Sequence, residues 1–113
     1  MRAATKMGVT VRFADIAEAM PLAGGADIVV STIPADAGAA LVQEVTTASG
    51  TLLDVIYAPL VTPLGAAWEV AGGTRVGGER MLLHQAGEQL RLMTGREAPI
   101  DVMDAALRAE LSF

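Results

Sequence analysis

Three side chains in this sequence stand where they could do chemistry or hold a ligand: the single histidine, His84, the glutamine beside it, Gln85, and the single tyrosine, Tyr57. An unperturbed imidazole titrates near neutrality, which makes His84 a general-base candidate. A base needs a nucleophile or an orienting carboxylate, and none stands at a recognisable spacing, so a structural or solvated histidine is the simpler reading. Gln85 sits among apolar neighbours. A buried amide must find partners, and a ligand hydroxyl would serve; the plainer alternative is a helix-surface glutamine. Tyr57 closes an apolar run, and in open α/β sheets ligands bind outside the carboxyl ends of strands. A core or rim tyrosine is the alternative there. One histidine and no cysteine leave only carboxylates for a metal, and Asp101 and Asp104 open a helix whose dipole accounts for them, so no metal site is expected.

Positioning these groups falls to an alternation of period-2 and helical patterns. "VTVRF" (9–13) reads as a strand and "DIAEAMPLA" as a short helix begun by Asp15. "ADIVVST" (26–32) is the kind of β-branched run buried on both faces of a parallel sheet. "ADAGAALVQEV" follows as a helix after Pro34, with Asp36 near its positive end. "TLLDVIY" (51–57) is a further strand, Pro63 starts a helix running to about Ala71, and "GGTRV" turns into a short last strand. Two helices then close the chain. In the first, Leu83, Ala86, Leu90 and Met93 share one face, and Met81, Gln85, Glu88 and Leu92 another. The second, with Pro99 in its first turn, presents Ile100, Met103, Leu107 and Leu111 for burial and pairs Asp104 with Arg108 at i,i+4. Three strand ends, at Thr32, Tyr57 and Val76–Gly78, are thus expected along one sheet edge. The opening "RAATKMG" reads as the tail of a helix that starts upstream.

Composition supports an ordered single domain and excludes several classes of function. Hydrophobic residues make up 52% of the 113 and charged ones 19%, as in globular proteins. A mean hydropathy of +0.45 points to apolar surface meant for another domain or chain. No membrane span accounts for it: the longest uncharged run, Val55 to Trp68, has 14 residues and is broken by Pro59 and Pro63, against about 20 for a span. The N-terminus lacks the apolar stretch of a signal peptide. Without cysteine there is neither disulfide framework nor thiol nucleophile, and a reducing cytoplasm is the expected location. A net charge of −5 with four scattered aromatics argues against nucleic acid. No G-x-G-x-x-G is present among the twelve glycines, so the phosphate-binding turn of a complete dinucleotide-binding fold is missing and the pattern looks like its second half.

The stretch "LLDVIYAPLVTPLGAAWEVAGGTRVGGERMLLHQAGEQLRLMTGREAP" resembles the C-terminal signature of the shikimate dehydrogenase family. There a D-x-x-Y-x-P-x-x-T-P segment precedes G-x-x-M-L-x-x-Q, with T-G following. Here these are Asp54, Tyr57, Pro59, Thr62 and Pro63, then Gly78, Met81, Leu82 and Gln85, then Thr94-Gly95. "ADIVVSTIPADAG" is similar to the family's strand ending in Thr-x-Pro. The resemblance implies an α/β fold with a partial Rossmann-like parallel sheet of about four strands and two C-terminal helices. Residues 1–76 would be the latter half of a dinucleotide-binding domain and 77–113 the closing helical segment.

The activity implied is the reversible NADPH-dependent reduction of 3-dehydroshikimate to shikimate in aromatic amino-acid biosynthesis. Tyr57 and Gln85 would reach the substrate. Val55, Gly78 and Met81 would lie against the nicotinamide half of NADP, and Thr32 would border the cofactor. The family's catalytic lysine and aspartate belong to a separate substrate domain, and Lys6, the single lysine, matches neither context. No catalytic residue is therefore assigned, and the chain alone is expected to be inactive. Its partner would be that domain, or a second copy met through apolar helix faces. Two departures stand inside the motifs: Ala58 replaces the usual Asn after the tyrosine, and Arg80 occupies a position where Gly often precedes Met-Leu. The competing reading is a non-catalytic remnant or interaction module with a half-Rossmann shape.

Overall fold

The structure, a computed structural model, describes residues 2–111. Its elements are α1 (Arg2–Lys6), α2 (Ile16–Ala23), β1 (Ile28–Ser31), α3 (Ala35–Ala39), a 3-10 turn (Val42–Glu44), β2 (Thr51–Asp54), α4 (Pro63–Val70), β3 (Thr74–Gly77), α5 (Gly78–Thr94) and α6 (Ile100–Leu111). The sheet is parallel in the order β1-β2-β3, and its register aligns Val29, Leu52 and Arg75 in one row and Ser31, Asp54 and Gly77 two residues further on.

Local chemistry explains the helix ends that matter. Thr62 caps α4 by accepting from the Gly65 N–H at 3.0 Å, and Pro63 takes the first helical position, where its missing N–H costs nothing. Gly95 ends α5 with φ of 69°, a left-handed conformation that glycine adopts without steric penalty.

Packing on the sheet is one-sided. Leu52 (1% exposed) and Trp68 of α4 (2%) meet Leu64 and Ala48 in the core, and the Trp68 indole donates to the Gly50 carbonyl at 3.1 Å. The opposite face is open, with Ile28 72% and Val30 56% exposed. Burial on both faces, expected from the β-branched run, is therefore not found: among the described residues nothing covers the second face at β1.

Two further expectations change. The sheet has three strands rather than about four, because Val9–Phe13 is not a strand. Alternation makes a segment competent for pairing, but these residues find no strand to pair with, and Phe13 is 75% exposed. The helix expected over 35–45 breaks after Ala39 into the 3-10 turn, as Gly38 and the β-branched Val42 and Val45 lower its intrinsic stability.

The closing helices form a hairpin. Gly87 lets α6 approach: a Cβ there would stand 2.5 Å from Ile100 Cδ1. Leu83 is buried beside it. Ile100, Met103, Leu107 and Leu111 are half-buried rather than buried, while Leu90 and Met93 face solvent. The Cα radius of gyration, 16.5 Å, exceeds the roughly 13 Å of a compact domain this long. The chain is an open assembly.

Candidate functional site

The register makes one edge of the sheet chemically distinct. Ser31, Asp54 and Gly77 end their strands side by side, so Thr32, Val55 and Gly78 are the next residues at the same carboxyl edge. The Val55 N–H donates to the Ser31 carbonyl at 3.0 Å, carrying the ladder one residue past β2. Gly78 then opens α5 directly, without an intervening loop. A Cβ on Gly78 would stand 2.2 Å from the Val55 carbonyl oxygen. Glycine is thus required by the chain's own β2 exit.

Met81 and Gln85 are i,i+4 on α5, on one face and one and two turns from this edge. Both are exposed, as is Tyr57, two residues beyond Val55. The edge therefore gathers Thr32, Val55 and Gly78, with Tyr57, Met81 and Gln85 on the segments that leave it. His84 is exposed and lines a shallow groove beside the 95–99 connection, with Glu88, Arg91 and Glu97.

Several polar groups at this edge had no role assigned from the sequence, Asp54 and Thr62 standing there only as motif residues. Asp54 is 3% exposed; its Oδ1 accepts from the Ile56 N–H at 3.2 Å, and its Oδ2 accepts from the Thr62 hydroxyl. Thr62 precedes the Pro63 at which the sequence starts a helix, but nothing in the spacing announced Asp54 as its partner. Ser31 Oγ and Glu79 Oε2 are buried without a hydrogen-bond partner among the described residues. Ser31 lines a small apolar cavity with Met20, Val29, Thr32, Ile33 and Leu64.

Arg80 does not lie free at the edge. Its Nη2 donates to Asp104 Oδ1 at 2.7 Å, tying the start of α5 to α6. Arg108 reaches the same oxygen at 3.2 Å, as the i,i+4 pattern predicts. The bond to Arg80, with help from Arg108, holds the Asp104 carboxyl below the usual aspartate range and raises the Arg80 guanidinium. No group of three metal-ligating side chains occurs among the described residues, and no helix of these residues is long and apolar enough to cross a membrane.

Fold and edge together define a parallel α/β protein closed by a helical hairpin, with exposed side chains gathered at the strand carboxyl ends, the edge where open α/β sheets bind their ligands. The family model described as Shikimate 5'-dehydrogenase C-terminal domain matches residues 78–108, that is, α5 and most of α6. A shikimate dehydrogenase (NADP(+)) of Halorubrum lacusprofundi is 47% identical over 60 residues, covering 53% of this chain and 22% of that protein. The crystal structure of Mycobacterium tuberculosis shikimate dehydrogenase superposes with a TM-score of 0.79 at 43% identity, over 93% of this chain and 39% of that one. A shikimate 5-dehydrogenase from Mycobacterium fortuitum gives a TM-score of 0.72 at 39% identity, over 91% of this chain and 39% of that one. Over these stretches the chain is similar to the C-terminal part of shikimate dehydrogenases. It spans about two fifths of these solved relatives, and its match covers 22% of the first curated one.

Proposed function

We propose that this chain supplies the C-terminal wall of an NADP-dependent shikimate dehydrogenase site. The observation that carries the reading is the alignment of Thr32, Val55 and Gly78 just past the paired residues Ser31, Asp54 and Gly77. The similar proteins are NADP(+)-dependent shikimate dehydrogenases, which points to NADP and shikimate. In this reading Thr32, Val55, Gly78 and Met81 line the nicotinamide half of the cofactor. Tyr57 and Gln85 offer a phenol and an amide to the ring hydroxyls or carboxylate of shikimate.

The residues present suit that half of the cofactor. The β2 exit and the start of α5 present backbone rather than bulk, since Gly78 has no side chain and Arg80 is engaged by Asp104. The flexible thioether of Met81 is exposed beside them. Bound NADP supplies the hydride chemistry; the chain's own groups bind and orient. Residues 1–76 act as the latter half of a dinucleotide-binding domain and 77–113 as the closing segment. The phosphate loop, and the lysine and aspartate that handle the proton, belong to parts of the family absent from this sequence. The soluble cytoplasm is the compartment where this chemistry operates.

Titration of the isotope-labelled chain with NADP+ and with shikimate tests the reading by amide and side-chain NMR. NADP+ is expected to perturb Thr32, Val55, Gly78 and Met81, and shikimate Tyr57 and Gln85, with no NADP+ reduction by the chain alone. Perturbations confined to other surfaces would overturn the assignment, and turnover by the chain alone would overturn its incompleteness.

A further inference from the structure

We propose that Asp54 is a positioning residue for Tyr57, acting through a clasp that closes the β2-to-α4 loop; the proposal rests on the reading of Tyr57 as a substrate contact. The exit from β2 has two fates available. It must leave the sheet with Tyr57 exposed, then return eight residues later to start α4 at the same strand end. One buried carboxylate serves both requirements. Asp54 Oδ1 accepts from the N–H of Ile56, the residue before Tyr57, which fixes the first turn out of the strand. Asp54 Oδ2 accepts from the Thr62 hydroxyl, whose own oxygen accepts from the Gly65 N–H.

The loop from 55 to 61 is thus held at both ends by one side chain, itself 3% exposed. Thr62 is buried to the same degree. Between the two anchors, Tyr57 and Val61 remain 44% and 46% exposed, so little packing holds this segment in place. Hydrogen bonds to a buried carboxyl group are directional and costly to leave unmade. The clasp is the feature that converts an exposed loop into a defined presentation of the phenol. Neither Asp54 nor Thr62 faces the ligand in this scheme; they act through Tyr57.

Variants separate this role from general stability. Asp54→Ala removes both acceptor oxygens, so both anchors are lost. Thr62→Val removes donor and acceptor at once, whereas Thr62→Ser keeps both. The sequence holds one tyrosine and one tryptophan, so residue-selective labelling gives one reporter for the loop and one, Trp68, for the core. The Tyr57 backbone order parameter is expected to fall from about 0.85 to below about 0.6 in Asp54→Ala and in Thr62→Val. In Thr62→Ser it should stay at the wild-type value, and the Trp68 indole signal should persist in all three. An unchanged Tyr57 in both disabling variants would overturn the proposal. So would simultaneous loss of the Trp68 signal in both, which would make the clasp a prop for the whole fold. This readout needs no ligand: failure of the wild-type chain to bind shikimate would count against the functional reading and leave the loop measurement intact.

Discussion

Arg80 Nη2 and Asp104 Oδ1 lie 2.7 Å apart, joining the first turn of α5 to the middle of α6 across 24 positions of sequence. This bond explains how a large cation is accommodated two residues from the close approach of Gly78 to Val55. Replacing it with Arg80→Met should loosen α6, seen as faster amide hydrogen exchange through residues 100–111 with the sheet amides unchanged. Because the Asp104 pKa is depressed in the folded chain, the contribution is fully present above the ordinary aspartate value near 4. It is lost as pH falls through the lower folded value. Acidification should therefore release α6 in the native sequence, and added salt should weaken the same contact. Equal exchange in variant and parent at neutral pH would contradict this.

Gly78→Ala would push a Cβ to within 2.2 Å of the Val55 carbonyl oxygen. Backbone is on the receiving side, so the strain has no flexible side chain to absorb it. A loss of about 1–3 kcal/mol is expected from overpacking, measured by denaturant unfolding followed through Trp68. Unaltered stability with weakened NADP+ binding would place the requirement for glycine in the cofactor contact instead.

Trp68→Phe should cost about 1–3 kcal/mol, since it removes the indole donor and leaves the Gly50 carbonyl without that partner. Leu52→Ala, in the most buried position of the sheet, should cost about 2–5 kcal/mol. In a core this small either change is a large share of the total. Thermal unfolding monitored by circular dichroism reads both, and a near-neutral Leu52→Ala would show that the core is not organised around β2.

Tyr57→Phe and Gln85→Leu should each weaken shikimate binding roughly 2- to 10-fold, the worth of one neutral hydrogen bond. Both side chains are exposed, so the melting temperature should hardly move. His84→Ala is expected to leave binding unchanged. A loss of binding in His84→Ala with none in Gln85→Leu would reverse the assignment on α5.

Exposed apolar groups on the open sheet face and on α5, among them Ile28, Val30, Leu92 and Met93, predict association. Sedimentation velocity at rising concentration should show species heavier than the monomer, or a complex when the substrate domain of a family member is supplied. A strictly monomeric profile in both cases would contradict it.

Much of the edge was legible because it depends on local pattern. Alternating periods located β1, β2, β3 and the helices between them, and the motif around Tyr57 and Gln85 carried the resemblance to shikimate dehydrogenases. Pro63 announced the start of α4. The segment Val9–Phe13 failed for a physical reason: alternation measures competence to pair, while pairing needs a neighbour. Ile28 and Val30 failed likewise, since a β-branched run does not reveal whether a second layer is there to bury it.

Sequence alone determined the periodicities, the caps, the absence of cysteine chemistry and the order of motifs, all of which depend on residues near one another along the chain. Tertiary structure decided what those residues meet. It set the register that brings Thr32, Val55 and Gly78 level, gave Asp54 to Thr62, and turned Arg80 toward Asp104. Such partners are chosen by packing between distant segments, and a hydrogen bond or a steric limit exists only once the two chains of atoms have been brought within a few ångströms of each other.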